Sequence, residues 1–183
     1  MNVTNVLSQE HQLILGYIDL LQMFASLAED RDEPAILTRQ LDSFLAFIEE
    51  FADSYHHGKE EEVLFNYLRQ PGVLTHCNPV PQMLHEHDHG RQFALGMREA
   101  QRSGEFFALI ANARSYAELL TSHIHKEDRI LYLMAEENLH DAQKARILDE
   151  YALQEQNHDG SALNLKYRAL HEKLENAYFG HAP

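Results

Sequence analysis

Apolar residues recur every three or four positions through most of the chain, and this spacing limits the folds that the chain can adopt. In the N-terminal segment this row consists of Val6, Leu7, Leu13, Ile14, Ile18, Leu21 and Phe24. Such spacing places apolar side chains on one face of an amphipathic helix, whereas a β-strand would alternate with a period of two. No long stretch alternates in that way. The sequence therefore predicts an all-α protein.

Glycine and proline are scarce and mark the boundaries between helices. The 183 residues include 8 Gly and 5 Pro, and breaks fall near Pro34, around Pro71 and at Gly104. We expect one helix before Pro34, a second from there to about Leu68, a third over about 80–102 and a fourth after Gly104. Four long helices joined by short connections predict an up-down-up-down four-helix bundle.

The sequence predicts two regions, a bundle over residues 1–140 and a C-terminal extension over residues 141–183. The extension contains two amphipathic segments, about Ala142 to Gln156 and Ala162 to Phe179. They carry too many apolar residues at helical spacing for a disordered tail. We expect helices that pack on the bundle or form the interface of a homo-oligomer.

The charge balance and the single cysteine exclude several classes of protein. There are 15 Lys and Arg against 29 Asp and Glu, which gives a net charge of −14. Nucleic acids and anionic membrane surfaces attract clustered Lys and Arg, so neither is an expected partner. Cys77 alone can form neither an intramolecular disulfide nor a cysteine-based metal site within one chain. No stretch approaches the ~20 apolar residues that span a bilayer, and we expect a cytoplasmic protein.

Two of the predicted helices contain a histidine followed four residues later by a glutamate. The pairs are His56 with Glu60 in the second helix and His123 with Glu127 in the fourth. Residues four apart lie above one another on a helix, so each pair presents an imidazole and a carboxylate to the same point. The apolar rows of both helices lead to these pairs, which predicts that they face the core.

The first and third helices each have a histidine that follows an acid, His11 after Glu10 and His87 after Glu86. Both histidines continue the apolar face of their helix. Four histidines and two carboxylates would then meet inside one bundle, where ionisable groups are costly unless they are paired or bind metal. Imidazole and carboxylate without thiolate suit iron, manganese or zinc, and carboxylates that bridge two ions suit a dinuclear site.

These motifs resemble the hemerythrin-like, or HHE cation-binding, domain family over about Val6 to Leu139. Residues 56–61, His-His-Gly-Lys-Glu-Glu, and residues 83–91, Met-Leu-His-Glu-His-Asp-His-Gly-Arg, are especially similar to a bacterial subgroup of it. The resemblance implies a four-helix bundle with a non-haem centre of two iron ions, for which zinc or manganese are substitutes. It also implies the ligands, with four terminal histidines and two bridging carboxylates: His11, His56, His87 and His123, then Glu60 and Glu127.

The chain departs from the oxygen-carrying members of that family. Met83 stands where they have a second histidine on the third helix, and Glu127 is better placed than Asp128 as the last carboxylate. The missing histidine leaves coordination positions open. The resemblance then implies binding, sensing or reduction of O2, NO or peroxide rather than reversible oxygen carriage. The alternative is a non-catalytic iron-handling or regulatory module, including iron donation for the repair of iron–sulfur clusters.

One rival ligand pair has the same spacing as His56 and Glu60, namely His57 and Glu61. A rotation of the second helix by one position would exchange the two pairs. In the favoured register His57 falls nearer the edge of the core face and points away from the ligands. The sequence predicts the same of three further histidines, His85, His89 and His125.

Overall fold

The computed structural model describes residues 2–180, over which the chain is all-α with six helices and no strand. Helix α1 is Asn5–Asp30, α2 spans residues 35–68, α3 is Val80–Ser103, α4 spans residues 106–138, α5 is Asp141–His158 and α6 is Gly160–Phe179. These bounds confirm the predicted helices to within a few residues. Within residues 2–180, no helix is both long and apolar enough to cross a membrane.

Helices α2 and α4 contain π-helical segments, which the sequence analysis did not predict. Helix α2 consists of an α-helical part Ala35–Phe47, π-helical parts Ile48–His57 and Glu60–Leu64, and a last α-helical part Phe65–Leu68. Helix α4 is α-helical over Phe106–Lys126, π-helical over Glu127–Leu131 and α-helical over Tyr132–Asn138. A π-helix bonds each residue to the fifth along the chain, and π-helical bulges are frequent at functional sites.

The helix ends follow from local residue chemistry. Pro81 lies in the first turn of α3, where the missing N–H would have no partner inside the helix. Gly104 ends α3 with a φ of +74°, a left-handed conformation that glycine adopts without strain. Asp159, with a φ of +48°, is the one residue between α5 and α6. The predicted polar break between the two C-terminal helices is therefore shorter than expected.

Two apolar clusters fill the interior, one at each end of the bundle. The larger cluster contains Phe24 and Phe44, and the smaller cluster contains Leu7 and Leu64. Along each of α1 to α4, the change from one cluster to the other falls where the sequence places its histidines and glutamates. The fold thus encloses a layer of polar residues between two apolar layers.

The C-terminal helices lie against the bundle. Tyr167 of α6 is fully buried in the larger cluster, where Tyr17 donates a 2.7 Å hydrogen bond to its backbone oxygen and its own hydroxyl donates to Ala46 O at 2.9 Å. Helix α5 adds Ile147 and Tyr151 to the smaller cluster. Both helices therefore share the apolar interior of the bundle.

Candidate metal centre

The structure brings the six predicted ligand side chains together in the polar layer, and none exposes more than 1% of its surface. Together with His57, which was not predicted, these six residues form two groups, in each of which one potential ligand atom per residue lies within 4.8 Å of the others. The first group is His11, His56, Glu60 and Glu127, and the second is His57, Glu60, His87 and His123. Glu60 belongs to both groups.

Two carboxylates lie between the groups. Glu127 Oε2 is 3.3 Å from Nε2 of His11 and 3.2 Å from Nε2 of His123. Glu60 Oε2 is 3.7 Å from Nε2 of His56 and 3.4 Å from Nε2 of His87. Each carboxylate therefore contacts a histidine of both groups, which is the arrangement that a carboxylate bridging two ions requires.

The Nδ1 atom of each predicted histidine donates a hydrogen bond to a carboxylate on another helix. The four bonds are His56 to Glu10 at 2.9 Å, His87 to Glu61 at 2.7 Å, His123 to Glu86 at 2.9 Å and His11 to Asp128 at 3.0 Å. Acids of α1, α2, α3 and α4 thus hold histidines of α2, α3, α4 and α1, so the bonds form a closed cycle around the bundle. A carboxylate on Nδ1 fixes the tautomer of a histidine and directs its Nε2 atom to a metal.

The inward-facing atoms lack the partners that buried polar groups normally have. Among the described residues, none donates a hydrogen bond to Glu60 Oε2 or to either carboxylate oxygen of Glu127. The Nε2 atoms of His87 and His123 lie 2.9 Å apart, although both rings already donate through Nδ1. Two nitrogen lone pairs at that distance require a proton or a cation between them. Since unpaired buried oxygens are costly, this donor set fits metal ions.

The charges in the polar layer hold protons where metal ions would lie. Burial alone would lower the pKa of His11, but the hydrogen bond to Asp128 and the nearby carboxylate of Glu127 together outweigh burial and raise that pKa to about 9. Burial opposes protonation of His123 as well, yet Glu127 and Glu86 raise its pKa to about 10. A metal that binds these histidines must displace both protons, so its binding strengthens as the pH rises.

His57 differs from the prediction, because it is buried rather than turned away. Only 6% of its surface is exposed, and its ring stacks on that of His87 with centroids 3.7 Å apart. Its Nδ1 atom lies 3.2 Å from Asp53 Oδ1. The π-helical turn of α2 is wider than an α-helical turn, so His56 and His57 both face the interior. The rival carboxylate Glu61 does not join either group.

The other histidines that were predicted to point away lie outside both groups, and two of them, His85 and His125, are exposed. His89 is half-buried. Met83, at the position of the missing histidine, is buried in the smaller apolar cluster. Its helix therefore supplies one inward imidazole, His87.

Lys59 is a buried charge beside the site that the sequence analysis missed. Its side chain is fully buried, and its Nζ atom donates to Glu10 Oε1 at 2.5 Å and to Glu155 Oε1 at 2.6 Å. Glu10 also accepts the hydrogen bond from His56, and Glu155 lies on α5. Lys59 could have been predicted to face the core, because it follows Tyr55 of the apolar row by four residues. Lys59 thus connects the C-terminal extension to the polar layer.

Tyr132 of α4, which follows the second ligand motif in the sequence, is a neutral neighbour of the site. It is buried, and its hydroxyl donates to Glu60 Oε1 at 2.6 Å and lies 3.4 Å from His11 Nε2. Burial and the negative charges of Glu60 and Glu127 raise the pKa of Tyr132 well above its ordinary value. The hydroxyl therefore keeps its proton beside the ligand groups.

Comparison with known proteins gives one match. The family model described as the hemerythrin HHE cation binding domain matches residues 2–135. No curated protein and no solved structure matches the chain. The matched range covers α1 to α3 and most of α4, with all six predicted ligands, and ends before α5.

Proposed function

The chain belongs to the hemerythrin HHE cation-binding family, and from that premise we propose that it is a non-haem di-iron protein that binds, senses or reduces O2, NO or peroxide. The observation that carries the proposal is the pair of buried donor groups that share Glu60. Histidine and carboxylate donors suit iron, and zinc or manganese are substitutes for it. Two bound iron ions would supply two electrons to a small ligand.

The proposed ligands follow the two groups. His11 and His56 would bind one ion and His87 and His123 the other through their Nε2 atoms, with Glu60 and Glu127 as bridges. His57 would add a fifth imidazole on the second side, taking the role of the missing histidine at Met83. The assignment of residues 56–61 to the bacterial subgroup is part of this proposal, because that motif supplies the second histidine.

The remaining residues around the site would exclude water and hold protons. Apolar side chains such as Phe51 and Ile124 close the layer on the side of the larger cluster. The Tyr132 hydroxyl holds a proton against the oxygen of Glu60. Peroxide reduction takes up two protons with two electrons, and the Tyr132 hydroxyl is a proton donor in contact with one of the proposed ligands.

A second candidate function is a non-catalytic iron-handling or regulatory module. The observation that favours it is the link from Glu155 on α5 through Lys59 and Glu10 to His56. Iron bound at His56 would change the charge near Glu10 and so the strength of the ion pairs that Lys59 makes. Iron occupancy would then alter how the C-terminal helices pack.

We expect purified protein loaded anaerobically with ferrous iron to hold two ions per chain and to change its visible spectrum on addition of O2, NO or H2O2. His56→Ala and Glu127→Ala remove one ligand each and should lower the iron content. His125→Ala is the matched control, because His125 lies on the helix of Glu127 but is exposed.

Equal iron content in all three variants would contradict the ligand assignment. Full iron loading with a spectrum that none of the three small molecules alters would favour the iron-handling alternative.

A further inference from the structure

A cavity of about 220 Å³ lies between α2, α3 and α4 and reaches the second donor group. His57 and His87 line its inner end. Leu95, which is 54% exposed, and Arg91 lie on its wall and show that it opens to the surface. The cavity thus connects solvent with two side chains of the proposed metal centre.

The cavity exists because small side chains on two helices leave the space unfilled. The part of its wall that these residues form is apolar. Ala52 of α2 and Gly90 and Ala94 of α3 form one side, and Tyr116 and Leu120 of α4 form the other. Larger side chains at the first three positions would occupy the same volume. This part of the wall offers no charge to pair with a charged occupant.

The four fully charged residues of the cavity lining are paired with one another. Arg98 pairs with Glu49, and Arg91 lies 2.8 Å from Asp53. All four residues line the cavity, so it presents two positive and two negative charges that are already paired. A charged ligand would have to break one of these ion pairs, whereas a neutral ligand leaves them in place.

The volume exceeds what a diatomic ligand needs. An apolar cavity of about 150 Å³ binds benzene in a known engineered protein, so this cavity has room for one ring or a branched alkyl group with a short substituent. The polar end of such a molecule would face the imidazoles of His57 and His87, which line the cavity and belong to the second donor group. Of the ligands in the proposed function, only peroxide has an organic form of that size.

We propose that this cavity binds a neutral organic hydroperoxide, with its apolar body against Ala94 and Leu120 and its oxygen end toward His57. The inference rests on the proposed function and narrows the ligand class. The apolar part of the wall would contact an organic group, which H2O2, O2 and NO do not have.

The test uses 2-phenylpropan-2-ol, the unreactive alcohol that corresponds to cumene hydroperoxide, and full-length protein loaded with zinc or manganese. We expect saturable binding by ligand-observed NMR to both forms. Paramagnetic manganese should broaden the signals of the bound alcohol, and diamagnetic zinc should not, because the oxygen end lies beside the metal centre.

Two variants probe the wall. Ala94→Leu fills the cavity and should weaken binding about tenfold by removing apolar burial of the alcohol. Leu95→Lys places a charge on the exposed part of the wall, threatens no core packing and should weaken binding as well. Ala111→Leu is the control, because Ala111 is exposed on α4 and outside the cavity lining.

Equal affinity in wild type, Ala94→Leu and Leu95→Lys would overturn the inference, as would saturable binding without broadening by manganese. A metal-loaded chain that does not bind the alcohol contradicts the cavity assignment alone. A chain that takes up no metal contradicts the proposed function and this inference together, and the metal content is measured in the same samples.

Discussion

In each of the four predicted histidine ligands, a carboxylate on another helix holds the Nδ1 atom. For His87 this carboxylate is Glu61, which also accepts a hydrogen bond from Arg91 at 2.6 Å. The hydrogen bond fixes the ring in the orientation that turns Nε2 toward Glu60. Glu61 therefore orients the ring of His87 in addition to supplying a negative charge.

Glu61→Gln should lower the affinity for zinc about tenfold or more, because the amide is a weaker acceptor for His87 and loses the ion pair with Arg91. Competition against a chromophoric chelator measures this affinity. Glu62→Gln is the matched control, since Glu62 is the exposed neighbour on the same helix. Equal affinities of the two variants would show that Glu61 does not orient the ligand.

Sequence reasoning predicted which six side chains meet in the interior, but it did not predict the acids that hold them. Glu10 and Glu86 were noticed beside His11 and His87, yet each contacts a histidine of another helix. Those contacts depend on how neighbouring helices are rotated against each other. Spacing within one helix carries no information about that rotation.

At the scale of the helix, the π-helical turns explain why the position of His57 was predicted wrongly. An apolar row read with an α-helical period places residues 56 and 57 on different faces. In the π-helical segment Ile48–His57 both are buried, as is Lys59 just beyond it. The spacing of apolar residues does not distinguish an α turn from a π turn, so the helix was predictable and its local winding was not.

Gly58→Ala should raise the free energy of unfolding by about 0.5–1 kcal/mol and leave metal binding unchanged. Gly58 lies between the two π-helical segments with a φ of −57°, and no atom lies within 4 Å of the Cβ that alanine would add. Chemical denaturation of both proteins measures the difference.

Gly90→Ala is the contrasting variant, because its added Cβ would lie 3.2 Å from Cδ2 of Leu120. It should gain less stability than Gly58→Ala or lose some. A clear loss of stability in Gly58→Ala would mean that the glycine is required by the winding of α2.

For the molecule as a whole, the polar layer shows that the net charge of −14 does not lie entirely on the surface. Glu60 and Glu127 are fully buried among histidines, so part of the acidic excess is internal charge that bound metal would neutralise. The C-terminal helices close the outside of this layer through Glu155 and its contact with Lys59. The division into a bundle over residues 1–140 and an extension over residues 141–183 stays a prediction, as does an interface of a homo-oligomer in that extension, and residues 181–183 lie outside the described part of the chain.

Tyr167→Ala should lower the free energy of unfolding by about 3–5 kcal/mol, because it removes a fully buried aromatic ring between α6 and the bundle. Leu165→Ala is the control on the same helix, with a side chain that is 68% exposed. Thermal and chemical unfolding measure both. If the two variants are equally stable, α6 does not contribute to the core of the bundle.

We propose that the polar layer holds two metal ions between the helices of one bundle. Iron K-edge X-ray absorption on the iron-loaded chain measures both the ligand type and the distance between the ions. We expect imidazole scattering together with a second iron at about 3.5–4 Å, the spacing typical of two-metal sites. A single iron per chain with no metal neighbour, or iron without imidazole ligands, would overturn the proposed site.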